Sequence, residues 1–145
     1  MTIIDKIKAS VVTATGLPFH YDTAQTLNVT LETATFPCAM LHIVESGAIM
    51  SDNGIVRERL TIEVLFAQKS SLDFDGLTVE RNELDEMKLK AFTWLASLFR
   101  SRDLRLISLN STSRYYASDD AIYSAYGVNI TIDEIEGVSS CYERL

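Results

Sequence analysis

The sequence predicts an α+β fold, a mostly antiparallel sheet with one long helix packed across it and a short N-terminal helix. Two patterns carry this prediction: residues 57–68 alternate apolar and polar side chains as a half-buried strand does, and residues 78–100 repeat apolar side chains at helical spacing. Strand-like segments also lie in runs on either side of that helix, which favours an antiparallel sheet over a parallel βαβ fold. The length of 145 residues fits a single domain, residues 1–145.

A short helix is predicted at the N-terminus, over residues 2–13. Its apolar residues recur at helical spacing, and Thr2 offers a hydroxyl that can cap the first turn. Gly16 is expected to end it. Farther along the chain, the alternation around Val29 predicts a half-exposed strand.

The middle of the chain is predicted to form a long antiparallel hairpin with arms at residues 36–51 and 55–68. The turn between the arms contains Asn53 and Gly54, and this pair tolerates the positive φ angles that a type I′ turn requires. Gly47 is expected to place a bulge or bend in the first arm.

The long helix is expected to begin near Thr78 and to end near Arg100. Acidic residues in its first turns and arginines near its end suit the helix dipole. Three strands are predicted to follow it, at residues 104–109, 113–117 and 122–132. The buried face of the helix is predicted to comprise Leu84, Met87, Ala91, Trp94, Leu95, Leu98 and Phe99.

The charge of the chain argues against one class of function. The net charge is −7 and the isoelectric point is near 4.7, whereas a nucleic-acid binder needs a basic surface to displace counterions from phosphate. A general nucleic-acid binder is therefore not expected, and no nucleic-acid contact is required. No apolar run approaches the roughly 18 residues that span a bilayer, and no signal peptide is evident, so no membrane contact and a cytoplasmic location are predicted. Cys38 lies in an apolar run and is predicted to be a buried free thiol.

No residue pattern predicts catalysis, a metal site or a cofactor. A nucleophilic enzyme needs an activated Ser or Cys and an oriented base, and the candidates for that base are His20 and His42. His42 lies within an apolar strand, where a structural role is the simpler interpretation. Asp73 and Asp75 resemble the opening of a calcium loop, but the later acidic ligands are missing, which favours an ordinary turn before the helix. The chain is therefore expected not to be an enzyme.

The chain as a whole resembles a family of phage proteins. In its size and in the order of its elements it is similar to the small tail-terminator or tail-completion proteins, a kind of minor tail protein, of tailed phages and prophages. The elements that carry the resemblance are the short N-terminal helix, the segment Phe36-Pro37-Cys38-Ala39-Met40-Leu41, the turn Asp52-Asn53-Gly54, the long helix and the strand Tyr126-Gly127-Val128-Asn129-Ile130-Thr131-Ile132.

The resemblance implies a structural protein without an active site. Such a protein forms a ring, usually of six subunits, that caps the tail tube and meets other tail or neck proteins, first in the host cytoplasm and then in the virion. The expected contacts between subunits or with partners lie at the hairpin tip, in the loop before the long helix and on the polar face of the second arm, at Asn53, Asp73, Asp75, Arg57, Arg59 and Glu63. The strand residues among them could form ion pairs between subunits, although a solvated charge is the simpler interpretation of each one alone.

Two other functions stay open at this stage. A small acidic intracellular interaction module, such as an immunity or adaptor protein, would use the net charge of −7 to capture a basic partner. An enzyme with an unfamiliar site would draw on His20, or on Asp73 together with Asp75. The ring-forming structural protein is the preferred hypothesis, and the enzyme is the least favoured.

Overall fold

A computed structural model describes residues 2–21, 35–45, 47–70, 75–116 and 123–139 of the chain. It confirms the predicted α+β fold, with a mostly antiparallel sheet that packs helices on one face. The predicted strand around Val29 lies outside the described residues. The described elements are α1 (Ile3–Thr15), β1 (Phe19–His20), β2 (Cys38–Val44), β3 (Ala48–Asp52), β4 (Ile55–Lys69), α2 (Gly76–Val79), a π-helical turn (Glu80–Leu84), α3 (Asp85–Leu98), β5 (Leu104–Tyr115), β6 (Tyr123–Glu134) and β7 (Val138–Ser139).

The predicted N-terminal helix is confirmed as α1, and its first turn is capped in both directions. The Thr2 hydroxyl accepts a hydrogen bond from the backbone N–H of Asp5 at 3.1 Å, and the Asp5 carboxylate accepts one from the backbone N–H of Thr2 at 2.9 Å. This reciprocal pair satisfies two donors that an uncapped helix start leaves open. The helix ends at Gly16, whose φ of +72° is the left-handed conformation that glycine adopts without strain.

The sheet is built around β4. β2 and β3 pair antiparallel with successive parts of β4 on one side, and β6 pairs antiparallel with it on the other side. β5 pairs with the far side of β6, and β7 continues along β4 beyond the end of β6. β1 joins β2 in parallel orientation, so the sheet is mixed, which the sequence pattern did not predict.

The predicted hairpin is confirmed at its turn and interrupted in its first arm. Asn53 and Gly54 have φ angles of 51° and 79°, as the predicted turn requires. The first arm divides into β2 and β3, and Gly47 lies at the break, where a bend was expected. A Cβ atom at Gly47 would lie 2.8 Å from the carbonyl oxygen of Arg59, so glycine allows the chain to approach β4 this closely.

The predicted long helix is present and contains one wide turn. In that turn the backbone N–H of Asp85 donates to the carbonyl of Glu80, a bond between residues i and i+5. The helix continues as α3, where Trp94 is fully buried. The indole nitrogen of Trp94 donates to the Ser10 hydroxyl at 2.9 Å, which ties α3 to α1.

One prediction for the second half of the chain is wrong. The two strands expected at residues 104–109 and 113–117 form the single strand β5. Its pairing with β6 slips by one residue after Leu106 and again after Leu109, so β5 contains two bulges. Each bulge interrupts the strict alternation of side chains, and the second one lies where the sequence pattern suggested a break between two strands.

The two faces of the sheet are packed differently. The face toward the helices carries the main core, and the apolar residues of β4 that alternation assigned to it, among them Ile62 and Phe66, are buried there. The opposite face carries a smaller buried cluster of Cys38, Met40, Leu65, Ala67 and Ala125. Cys38 is a buried free thiol, as predicted. Within the described ranges no helix is long and apolar enough to cross a bilayer.

Candidate functional site

The hairpin formed by β3 and the first part of β4, residues 48–59, leaves apolar side chains exposed, and we call it the arm. Ile49 is 82% exposed and Val56 is 48% exposed. Ile49 lies directly opposite Glu58, so both share a face with Val56 and with Leu60. Leu60 is only 6% exposed, and the packed core on this face of β4 therefore ends between Leu60 and the arm.

An open groove of about 390 Å³ lies along this face of the arm. It is lined by Ile49 and Val56 on one side and includes Lys6, Glu134 and Gly137 on the other. The buried ammonium group of Lys6 contacts the carboxylate of Glu134 at 3.1 Å, so these two charges already satisfy each other. The groove thus combines exposed apolar side chains with charged ones, since Glu58 and Glu136 line it beside the Lys6–Glu134 ion pair, and such a mixed surface suits contact with another protein.

Of the predicted contact residues, Asn53 lies at the exposed tip of the arm. Asp75 lies at the start of the long helix, where its carboxylate accepts a hydrogen bond from the backbone N–H of Thr78 at 2.8 Å. This bond lowers the pKa of Asp75 below 3.8 and gives the residue a structural role in the helix start. Asp73 lies outside the described residues.

The two arginines of β4 differ in their surroundings. Arg57 belongs to the arm and lies opposite Met50 of β3. Arg59 donates two hydrogen bonds to Asp133, from Nε to Oδ1 at 2.6 Å and from Nη2 to Oδ2 at 2.9 Å. Hydrogen bonding to Asp133 raises the pKa of the Arg59 guanidinium. This ion pair links β4 to β6 within one chain, and Asp133 is 3% exposed, whereas the sequence suggested an ion pair between subunits for Arg59.

Glu63 is buried, which corrects its assignment to a solvated or inter-subunit position. It is 5% exposed. Its carboxylate accepts hydrogen bonds from the hydroxyls of Tyr115 at 2.9 Å and Ser113 at 3.2 Å, and it contacts His42 Nδ1 at 2.7 Å. Burial and the bond to Glu63 raise the pKa of Tyr115. The cluster joins β2, β4 and β5 across the sheet face opposite the helices.

The geometry around His42 favours the structural interpretation of this residue. Glu63 holds its Nδ1, and the ring of Tyr115 meets it edge-on at a centroid distance of 5.8 Å. Ser113 directs its hydroxyl to Glu63 and not to His42, so it is not arranged as a nucleophile beside a base. In the part of the chain that the structure describes, no group of three or more His, Cys, Asp or Glu side chains could share a metal ion.

Sequence reasoning missed a second exposed apolar surface, on α3. Leu89 is 66% exposed, Phe92 43% and Phe99 73%. Phe99 was predicted to widen the buried face, but the sheet contacts the side of the helix that carries Leu98, one residue and about 100° away. The available signal was the spacing of these residues, which recur every three or four positions beside the buried set.

Comparison with known proteins adds no family to these observations. The chain matches no protein-family model. No curated protein matches its sequence significantly.

Proposed function

We propose that this chain is a structural tail-assembly protein of a phage or prophage, of the tail-terminator or tail-completion type, which forms a ring at the tail end. The exposed arm is the observation that carries the proposal. Its residue Ile49 is 82% exposed, on the same sheet face as a packed core. Exposure of such a side chain is unfavourable in a single chain, and contact with a neighbouring copy removes it from water.

A ring requires two different contact surfaces on each subunit. In a head-to-tail contact, a projecting surface of one copy binds a different surface of the next copy. The row of copies closes into a ring when the rotation from each copy to the next adds up to a full turn. The arm is suited to be the projecting surface, because its strands are fixed by pairing to each other and its turn contains only Asn53 and Gly54 between the paired ends.

The proposal includes no catalytic step and no cofactor. The polar cluster around Glu63 and the Arg59–Asp133 pair act as rigid support for the strands that carry the arm. The partners are further copies of the chain and other tail or neck proteins, met in the host cytoplasm and retained in the virion. Contact with nucleic acid is not required, in keeping with the net charge of −7.

The test is the solution mass of the purified protein, measured by light scattering over a concentration series and combined with negative-stain imaging. We expect closed rings for the unmodified chain and their loss in Ile49→Ser. Because Ile49 is 82% exposed, its replacement should leave the free energy of unfolding within about 0.5 kcal/mol of the original value. Val12→Ser is the matched control, since Val12 is 41% exposed on α1 and lies outside the arm.

A photoreactive side chain introduced at Ser51, which shares a face with Ile49, would then identify the receiving surface on the next copy. A chain that shows no ring at its highest soluble concentration would contradict the proposal. Capture of one basic protein in a pull-down, together with that result, would support the acidic interaction module instead.

A further inference from the structure

We propose that two copies of this chain pack α3 against α3 in antiparallel orientation about a two-fold axis. The contact surface is the α3 stripe, defined as Leu89, Phe92 and Ala96 on α3 together with Phe99, the C-cap residue that directly follows the helix. This inference does not rest on the ring or on the resemblance to tail proteins, because it follows from the pattern and exposure of one helix.

The spacing of the α3 stripe is that of a helix–helix seam. Its members are separated by three, four and three residues, the repeat that aligns apolar side chains along one line of a helix. All four are exposed, and the line they form is about 15 Å long at the helical rise of 1.5 Å per residue. The face that α3 turns to the sheet carries a different set, including Met87 and Trp94, both fully buried.

The stripe is complementary to itself when reversed. Because the spacing reads the same in both directions, an antiparallel second copy places its Phe99 opposite Leu89 and its Ala96 opposite Phe92. The large Phe92 ring thus meets the smallest side chain of the stripe, which permits close approach of the two helices. A surface that recognises its own reverse is what an isologous two-fold contact requires.

Charges beside the stripe favour the same orientation. Glu86 and Arg100 are exposed on one flank of the stripe, near its opposite ends, and neither forms an ion pair with another described residue. In the antiparallel arrangement Glu86 of each copy approaches Arg100 of the other, giving two ion pairs across the seam. A parallel arrangement would bring like ends together and leave both charges without this partner.

A groove beside the stripe would be covered by the second copy. It has a volume of about 370 Å³ and lies between Phe92 on α3 and Leu109 on β5, with Val128 and Ile130 also lining it. Leu109 is 58% exposed and faces the same side of the sheet as α3, since it lies opposite the buried Ile130. A helix laid along the α3 stripe would therefore remove Leu109 from water as well.

The α3 stripe and the arm share no residue. A two-fold contact through the stripe is complete after two copies and leaves the arm available. If the ring also forms, the two contacts together generate a pair of rings related by two-fold axes. An experiment can therefore disprove either proposal without affecting the other.

The test is sedimentation equilibrium of the full-length chain over a concentration series. We expect a reversible two-copy association that Leu89→Lys weakens at least about tenfold, because each copy then places a charge in the seam. Leu77→Lys is the matched control, since Leu77 is 60% exposed and lies in α2 outside the stripe. Ile49→Ser removes the arm contact and should leave this association unchanged, so the two-copy state and the Leu89→Lys effect are measured in that background when the unmodified chain forms rings.

Reversing the two charges tests the antiparallel orientation of the helices and leaves every apolar residue unchanged. Glu86→Arg and Arg100→Glu should each weaken the association several-fold, and the two changes in one chain should restore it. A chain that shows no two-copy association at any concentration would overturn the proposal. So would an association that Leu89→Lys leaves intact, or a double reversal as weak as either single change.

Discussion

Glu63 and Cys38 both lie on the sheet face that the helices do not cover, and both are buried there. Local alternation indicated the face on which each side chain lies. It did not indicate that Tyr115 and Ser113, about fifty residues farther along the chain, would close over Glu63. Burial of a carboxylate depends on such distant donors, which no local pattern contains.

Glu63→Ala should lower the free energy of unfolding by about 1–3 kcal/mol, because it leaves two hydroxyl donors without their acceptor. Chemical denaturation measures this loss. Tyr115→Phe removes one of the same bonds and should cost about 1 kcal/mol, less than the change at Glu63. Equal stability of Glu63→Ala and the unmodified chain would show that the cluster contributes nothing to folding.

The Cys38 thiol should resist thiol reagents in the folded protein. Burial raises its pKa from 9.0 to about 11, so the reactive thiolate is scarce near neutral pH. In a Cys141→Ser chain, modification at about pH 8 should be much slower under native than under denaturing conditions. At pH values between 9.0 and about 11, the Cys38 thiol is deprotonated in the unfolded chain but keeps its proton in the folded chain. The free energy of unfolding therefore falls as the pH rises through this window. Fast native modification would indicate that Cys38 is accessible.

At the scale of elements, the sequence predicted what is locally encoded. The capped start of α1, the turn at Asn53 and Gly54, and the long helix each depend on neighbours within a few residues. The division of β5 was predicted wrongly, because its bulges, directly after Leu106 and Leu109, arise from pairing with β6. Register between strands is a property of two segments, and one segment alone does not specify it.

Gly137 fixes the approach of β7 to β4. A Cβ atom there would overlap the carbonyl oxygen of Val56 and lie 2.8 Å from Ile55 Cγ2. Gly137→Ala should therefore displace β7 and lower the free energy of unfolding by about 1–3 kcal/mol. Denaturation measures the loss, and faster amide exchange in the first residues of β4 locates it.

Glu136→Ala is the matched control for that change, because Glu136 is the exposed neighbour of Gly137. It should leave both measurements unchanged. Equal stability of the two variants would show that β7 adjusts at no cost.

At the scale of the whole molecule, the candidate contact surfaces lie at the edge of the region where packed side chains cover the sheet. Val56 and Leu60 occupy the same face of β4, and the alternation in the sequence treats them alike. In the structure Val56 is 48% exposed and Leu60 is 6% exposed. Periodicity therefore predicted the faces, but not which apolar residues would stay uncovered, and the six residues chosen from the sequence were all polar or charged. The arm and the α3 stripe could be found only after the elements had been assembled.

The wide turn at Glu80–Leu84 sets the phase of the long helix. A π turn accommodates one residue more than an α turn. The segment before it is therefore rotated by about 100° from the position that it would have in an uninterrupted α-helix continuing α3. With this offset Val79 points to the sheet and is 5% exposed, while Leu77 points away and is 60% exposed. A regular α-helix with the same residues would swing Val79 out of the core and Leu77 toward it, whereas deleting one residue from the turn would make the helix regular and keep both orientations. In this segment, the extra residue in the turn decides which side chains are buried and which are exposed as much as their hydrophobicity does.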